Sequence, residues 1–339
     1  MIVFDGIIYS IQQYGGITTY FNELVDGVVA KTSDCELLLY SEKENVNIPV
    51  KKLTPRYIER YRKPVGVTEG AICHSSYYRI SNARKVKNVI TVYDFTYEKF
   101  GKFPSREVHR IQKSYAINHA DAILCISEST RQDLFQLYPR IDKSRVFVTH
   151  LAMSDSFHLL SEDQRNKFSI PFVLFVGGRQ GYKNFVSAVD AVAQVKDLKL
   201  IFVGGGPVTT DENKLLSERL PGRYEHKGAI SSEVLNILYN MAVALLYPSQ
   251  YEGFGIPILE AMAAGCSVIA TRVSSIPEVS GDSAILLDSP DSDAVAEAIV
   301  HLMNEENNLK FQALGAKQIL NFGWNMTVDQ TIEVYRSLK

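Results

Sequence analysis

The chain has 339 residues, 46% of them hydrophobic and 22% charged, with a net charge of −2; that is enough apolar mass for a large core, excludes disorder, and suits two domains rather than one. The longest apolar runs, Phe172 to Val176 and Val243 to Tyr247, fall far short of the roughly 20 residues that cross a bilayer, so no transmembrane helix is expected. Cys35, Cys73, Cys125 and Cys266 are widely separated and form no C-x-x-C pair, so they read as packing residues rather than as disulfides or zinc ligands.

Short β-branched runs alternate with longer amphipathic stretches, the pattern of parallel sheets covered on both faces by helices. The first predicted strand, Ile2-Val3-Phe4, is followed by Asp5. It does not resemble a secretory leader, and a cytoplasmic location is the expectation. Tyr14-Gly15-Gly16-Ile17 precedes a helix, and its glycines allow either a close approach of substrate to backbone amides or a simple turn. Strands are then predicted at Glu36 to Tyr40, Ala71 to Cys73, Val89 to Val92, Ala122 to Ile126 and Val146 to Val148. His74 follows one of them, where it either lines a cleft or serves as a hydrogen-bonded structural histidine. His150 to Phe168 has no strand pattern and carries Ser154, Asp155, Ser156, Ser161, Glu162 and Asp163, so the linker is placed there. A second series of strands starts at Phe172 to Val176 and continues through Leu198 to Val203, Tyr224 to His226, Val243 to Tyr247, Ser267 to Ala270 and Ala284 to Leu286. The domains are therefore set at 1–157 and 158–322.

Charge divides unevenly between these halves. Up to His150 there are 21 Lys and Arg against 16 Asp and Glu, net +5, leaving 15 against 22, net −7. Clusters at Arg56 to Lys63, Arg79 to Lys87 and Lys99 to Lys113 suit an anionic lipid surface or a diphosphate acceptor, a solvated helix face being the ordinary alternative. Nucleic acid is not expected as a partner of a chain that is acidic overall.

Two motifs carry chemistry. In Tyr251 to Gly265, the residues Gly253, Phe254, Gly255, Ile256 and Pro257 form a tight loop opening into a helix, whose amides and dipole suit a diphosphate. Glu252 and Glu260 bracket that loop and would face neutral hydroxyls, since carboxylates repel phosphate. In Val176 to Asn184, after a buried strand, Gly178, Arg179 and Lys183 read as a clamp that would neutralise a leaving diphosphate without a metal. Gly204-Gly205-Gly206-Pro207 reads as a turn, and the histidines show no metal-ligand spacing.

With Thr91-Val92-Tyr93-Asp94, Ile126 to Ser129 and Phe322-Gly323-Trp324 added, these stretches resemble the retaining glycosyltransferases of family 4, of the bacterial polysaccharide type, along nearly the whole chain. The resemblance implies a GT-B fold, in which two Rossmann-like α/β domains have parallel sheets facing across a cleft, and a final helix, about 323–339, that rejoins the first domain. It implies a nucleotide-diphosphate sugar as donor, a glycan as acceptor and hexosyl transfer; with the cation clamp in place no metal or other cofactor is expected, and the basic first half without a membrane span fits extension of a lipid-linked oligosaccharide at the cytoplasmic face of the inner membrane, as in surface polysaccharide assembly. Arg179, Lys183, Glu252 and Asp94 would be catalytic. Gly16, Gly178, Arg179, Lys183, the 253–257 loop and Glu260 would bind the donor, Glu252 meeting its sugar and Glu260 its ribose. Many members have His before the Asp, where this chain has Tyr93 before Asp94; a phenol is a poor base near neutral pH. The alternatives are an epimerase or phosphorylase of related fold, and a non-catalytic nucleotide-sugar-binding protein.

Overall fold

The computed structural model describes residues 1–12, 15–41, 48–161 and 170–339. Tyr14 of the first glycine turn and the 162–168 part of the expected linker, with Glu162 and Asp163, lie outside the described residues. The chain divides into two compact units, Met1–Leu151 with Trp324–Lys339, and Ala152–Gly323.

The first unit holds β1 (Ile2–Asp5), β2 (Cys35–Leu39), β3 (Val50–Lys52), β4 (Ile72–Ser75), β5 (Lys87–Val92), β6 (Ala122–Cys125) and β7 (Val146–Val148), with helices α1 (Ile8–Ile11), α2 (Gly16–Lys31), α3 (Thr96–Phe100), α4 (Ser105–His119) and α5 (Glu128–Leu137). All strand pairs are parallel, in the order β3-β2-β1-β4-β5-β6-β7. Central strands such as β1, β4 and β6 are buried along their whole length, which is why they stand out as unbroken apolar runs. The Val50–Lys52 strand gives no such signal. It lies at the sheet edge with all three residues exposed, and its two lysines are a common means of keeping an edge from pairing with another chain.

The second unit holds β8 (Phe172–Val176), β9 (Lys199–Val203), β10 (Tyr224–Gly228), β11 (Leu245–Tyr247), β12 (Val268–Thr271) and β13 (Ala284–Leu287), with α6 (Phe185–Gln194), α7 (Thr210–Arg219), α8 (Ser232–Met241), α9 (Ile256–Ala263), α10 (Ile276–Ser280), α11 (Ser292–Met303) and α12 (Glu305–Gln318). Its sheet is also parallel, ordered β10-β9-β8-β11-β12-β13. Both units are thus doubly wound. The division falls at 151/152 rather than at 157/158 because the intervening residues pack into the second unit. Phe157 stacks edge-on against Tyr239 at 5.9 Å, and the His158 amide donates to Asn236 Oδ1.

The last helix, α13 (Trp324–Ser337), belongs to the first unit. Val328, Ile332 and Tyr335 are buried on its inner face, and Thr327 Oγ1 donates to the His150 carbonyl at 2.6 Å. Gly27 of α2 makes the approach possible, since a Cβ there would stand 2.4 Å from Val328 Cγ2. His74 is a structural histidine: fully buried, its ring nitrogens lie 2.5 Å from Tyr335 Oη and 2.9 Å from Thr91 Oγ1. Burial holds its pKa down to about 3. Tyr93 is likewise core, its hydroxyl donating to the Ser76 carbonyl at 3.1 Å and its ring meeting Tyr20 edge-on, and burial pushes its pKa well above 10.

Gly27→Leu should lower the unfolding free energy measured by urea titration by about 1–3 kcal/mol through overpacking against α13, and adding Val328→Ala should recover part of that loss. If the double variant is no more stable than Gly27→Leu alone, the close α2–α13 approach does not set this packing.

Candidate active site

In the second unit, strands 8 to 10 run to one side of the sheet and 11 to 13 to the other, so the order reverses between β8 and β11. Loops leaving the carboxyl ends of the two strands at such a reversal part from each other and open the crevice where ligands of open α/β sheets bind. Both motifs lie here: residues 177–184 follow β8, and residues 248–255 follow β11.

The two loops are stitched together. The Gln250 amide donates to the Tyr182 carbonyl at 2.7 Å, and Asn184 Nδ2 donates to the Pro248 carbonyl at 2.7 Å. Asn184 has φ +52°, a left-handed conformation that asparagine tolerates better than most residues, and it ends the turn Gly181–Lys183 so that α6 can start. The loop after β12 supports the far side. Glu252 N donates to Ser274 Oγ at 2.8 Å, and Ser275 Oγ donates to the Glu252 and Phe254 carbonyls. Ser274 is itself left-handed, with φ +46°, a strained setting often found beside functional loops.

The N-terminus of α9 projects from this frame. Gly255 precedes it with φ +116°, Pro257 sits in its first turn, and no side chain caps it. Its leading amides and the helix dipole therefore suit an anion. Beside it, Lys183 Nζ meets Glu252 Oε1 at 2.5 Å, with 16% and 11% of the side chains exposed. Glu260 lies one turn further along α9, and its Oε2 accepts from the buried Tyr239 hydroxyl at 3.2 Å. Burial raises its pKa to about 7, against a lowering by that hydrogen bond.

Arg179 is placed differently from the sequence expectation. Its side chain is 4% exposed and is turned toward the loop after β9. Nε donates to Glu212 Oε1 at 2.9 Å, Nη1 to the Gly204 carbonyl at 2.8 Å, and Nη2 to the Gly206 and Pro207 carbonyls and Glu212 Oε2. The guanidinium also lies over the rings of Phe202 and Phe185. Gly204, Gly205 and Gly206 all have φ between +72° and +82°, and a Cβ on Gly205 would stand 2.4 Å from Arg179 Nη1. The loop read as a plain turn is thus wrapped around this cation. Arg179 and Lys183 accordingly do not form one clamp: the first ends on Glu212, the second on Glu252.

Glu212 went unnoticed in the sequence, although a signal was present. Thr209-x-x-Glu212 is a capping box, with Glu212 N donating to Thr209 Oγ1 and Thr209 N to Glu212 Oε2, and it fixes Glu212 in the first turn of α7. Burial pushes Glu212 up, but its bonds to Arg179 and Thr209 outweigh that and hold its carboxyl below the usual range.

The remaining site candidates fall as follows. Gly178 lies in the loop after β8, where a Cβ would stand 2.1 Å from Gln180 Oε1. Gly16 and Asp94 belong to the first unit, both beyond the carboxyl ends of strands. Gly16 is exposed and opens α2, which no side chain caps. Asp94 follows β5, its Oδ1 accepting from Thr96 N at 2.9 Å and its carbonyl from Lys113 Nζ at 2.5 Å. Among the described residues, no group of three or more His, Cys, Asp or Glu side chains is placed to hold a metal ion.

Glu260 binds its proton more tightly folded than unfolded, so its contribution to stability is complete below about pH 4.5 and declines as pH rises to about 7. Glu260→Gln should flatten the thermal midpoint over that window, and an unchanged pH slope would refute the assignment. Arg179→Ala and Glu212→Ala should each cost about 1–3 kcal/mol. The double variant should cost clearly less than the sum of the two, because both remove the Arg179–Glu212 pair; simple additivity would show that the two act independently.

Residues 161–317 match the family model described as glycosyl transferases group 1. The chain is 29% identical over 252 residues to O-antigen chain mannosyltransferase B of Escherichia coli, an alignment covering 69% of this chain and 66% of that protein. It is 26% identical over 252 residues to alpha-maltose-1-phosphate synthase of Mycolicibacterium smegmatis, covering 66% and 65%. The alignments thus span just under two thirds of these relatives' length. Among solved structures, sucrose-phosphate synthase from Thermosynechococcus elongatus superposes with a TM-score of 0.78 at 20% identity, covering 99% of this chain and 98% of the other. Anabaena Alr3699/HepE in complex with UDP-glucose gives a TM-score of 0.73 at 15% identity, covering 99% of both. Residues 161–317, most of the second unit, thus match the group 1 glycosyl transferase model, and the chain as a whole shares the GT-B fold of these solved structures.

Proposed function

We propose that the chain transfers a hexose, with retention and without a metal, from a nucleotide-diphosphate sugar to a hydroxyl of a glycan or lipid-linked oligosaccharide. The observation that carries this reading is the uncapped N-terminus of α9 at the strand-order reversal, with Lys183 and Glu252 beside it. The names of the relatives support it: one is an O-antigen chain mannosyltransferase, and the Anabaena protein was solved in complex with UDP-glucose.

As the bond from the sugar's anomeric carbon to the diphosphate breaks, its electron pair leaves with the diphosphate oxygen. The amides opening α9 and the Lys183 ammonium oppose that growing charge. Phosphate competes with Glu252 for Lys183, which turns the Glu252 carboxylate to the hydroxyls of the sugar. The vacated face is attacked on the same side, and a diphosphate oxygen accepts the proton of the acceptor hydroxyl. Glu260, ionised, accepts from the ribose hydroxyls. Arg179 acts as a positioning residue, keeping the Gly204–Pro207 loop in place next to the diphosphate. Gly178 leaves the β8 loop room to approach it, and Gly16 and Asp94 are the candidate site residues of the first unit. Cytoplasmic assembly of a surface polysaccharide, at the membrane that holds a lipid-linked acceptor, fits the basic first half of the chain.

Lys183→Ala should lower kcat for sugar transfer by roughly 10²–10³-fold, the scale on which loss of one preorganised donor to a developing anion is felt, with the thermal midpoint little changed. A chelator should leave the wild-type rate intact. Product analysis with and without acceptor separates transfer from epimerisation and phosphorolysis, and transfer undiminished in Lys183→Ala would overturn the role of that residue.

A further inference from the structure

The cations that make the first half of the chain basic are gathered in one neighbourhood. Segments 54–65 and 97–115 carry nine Lys and Arg against three Glu, a net of +6 in a chain whose net charge is −2. All three carboxylates are paired with cations, and Lys99 is also paired with Asp133 from outside the two segments, which leaves an excess of about five positive charges. Glu59 pairs with Arg56 and Arg79, Glu98 with Lys113, and Glu107 with Arg106 and Arg110. The excess charge faces solvent at Arg62, Lys63, Lys102, Arg106 and Arg110.

The same two segments expose apolar side chains. Helix α4 turns Val108, Ile111 and Tyr115 outward, 46%, 64% and 43% exposed, at the spacing of one helical stripe. Phe103, just before α4, is 80% exposed, and Tyr57 of the other segment is 85% exposed. The segments are joined: Gln112 Nε2 of α4 donates to the Arg60 carbonyl at 2.7 Å, and Tyr97 of α3 stacks on His109 of α4 at 4.3 Å. Between them lies a cavity of ≈ 360 Å³, walled by Tyr61, Tyr78, Ile80, Val108, Ile111 and Tyr115, with Arg62 and Lys63 also in its lining.

We propose that this face docks on an anionic phospholipid bilayer. Aromatic and aliphatic side chains set among Lys and Arg suit the boundary between headgroups and acyl chains, where each cation near the surface adds to the attraction. The cavity has the lining to admit one apolar chain. A second copy of this protein is the poorer occupant, because it would bring the same excess of cations against this one. Among the described residues no helix is long and apolar enough to cross a membrane, so the contact is one of surface docking. The proposal rests on the membrane-side part of the functional reading and not on the chemistry of the second unit.

The test is flotation of the full chain with vesicles of phosphatidylcholine alone and of phosphatidylcholine mixed with phosphatidylglycerol, at low and high salt. Wild type should float with the mixed vesicles only, and salt should release it. Arg106→Glu with Arg110→Glu should weaken binding at least about tenfold. Phe103→Ser with Ile111→Ser, which leaves net charge untouched, should weaken it as well. Thermal shift by UDP reports separately on the second unit and should be the same in all three proteins. Failure of wild type to float, or equal flotation of both variants, overturns the docking surface and leaves the transferase reading standing. So does salt-sensitive self-association abolished by the same charge reversals. Loss of sugar transfer with flotation intact would instead count against the transferase reading alone.

Discussion

Lys183 and Glu252 are 69 positions apart and meet at 2.5 Å because β8 and β11 lie side by side where the strand order reverses. A parallel sheet makes neighbours of strands that the sequence separates by a helix or more, and at a reversal it leaves the loops of two such neighbours with no helix between them. Every other feature of the candidate site depends on that adjacency. The backbone bond from Gln250 to Tyr182 and the side-chain bond from Asn184 to the Pro248 carbonyl tie the loops together, and Ser274 and Ser275 brace the second. The N-terminus of α9, which no side chain caps, opens four residues after Glu252, the partner of Lys183.

The site is held rigid from below by a second cation used for structure. A guanidinium almost completely buried needs its charge and its donors matched, and Arg179 finds one carboxylate, three carbonyls and two aromatic faces. Three successive glycines in left-handed conformations let the chain close around it. A positive residue in a loop after a buried strand therefore has two physical uses, to meet a ligand's anion or to organise an adjacent loop, and only its partners separate them.

The first unit repeats the doubly wound plan, with its order reversing between β1 and β4, but the polar groups there are mostly interior. His74 and Tyr93 lie at or just past strand ends, where residue type alone does not separate site from core. Both are buried with hydrogen-bond partners, and burial shifts both away from any titration near neutral pH. The chemistry-bearing surface of this unit is instead its cation-rich, aromatic face around α4, whose sequence signal was charge alone.

The sequence by itself determined the fold class, because a strand buried on both faces reads as a short apolar run, and twelve predicted strands in two series, most of them such runs, leave little choice of architecture. It also located the loop from Gly253 to Pro257, since left-handed glycine followed by a proline in a first helical turn is a local property of the chain. It passed over the edge strand Val50–Lys52, whose exposed lysines carry no burial pattern, and it paired Arg179 with Lys183 because they are neighbours in the chain. Which carboxylate each cation faces was decided only by tertiary structure: Glu212 comes from the far side of β9 and Glu252 from beyond β11, and long-range pairing of strands, unlike periodicity, leaves no mark on the residues that it brings together.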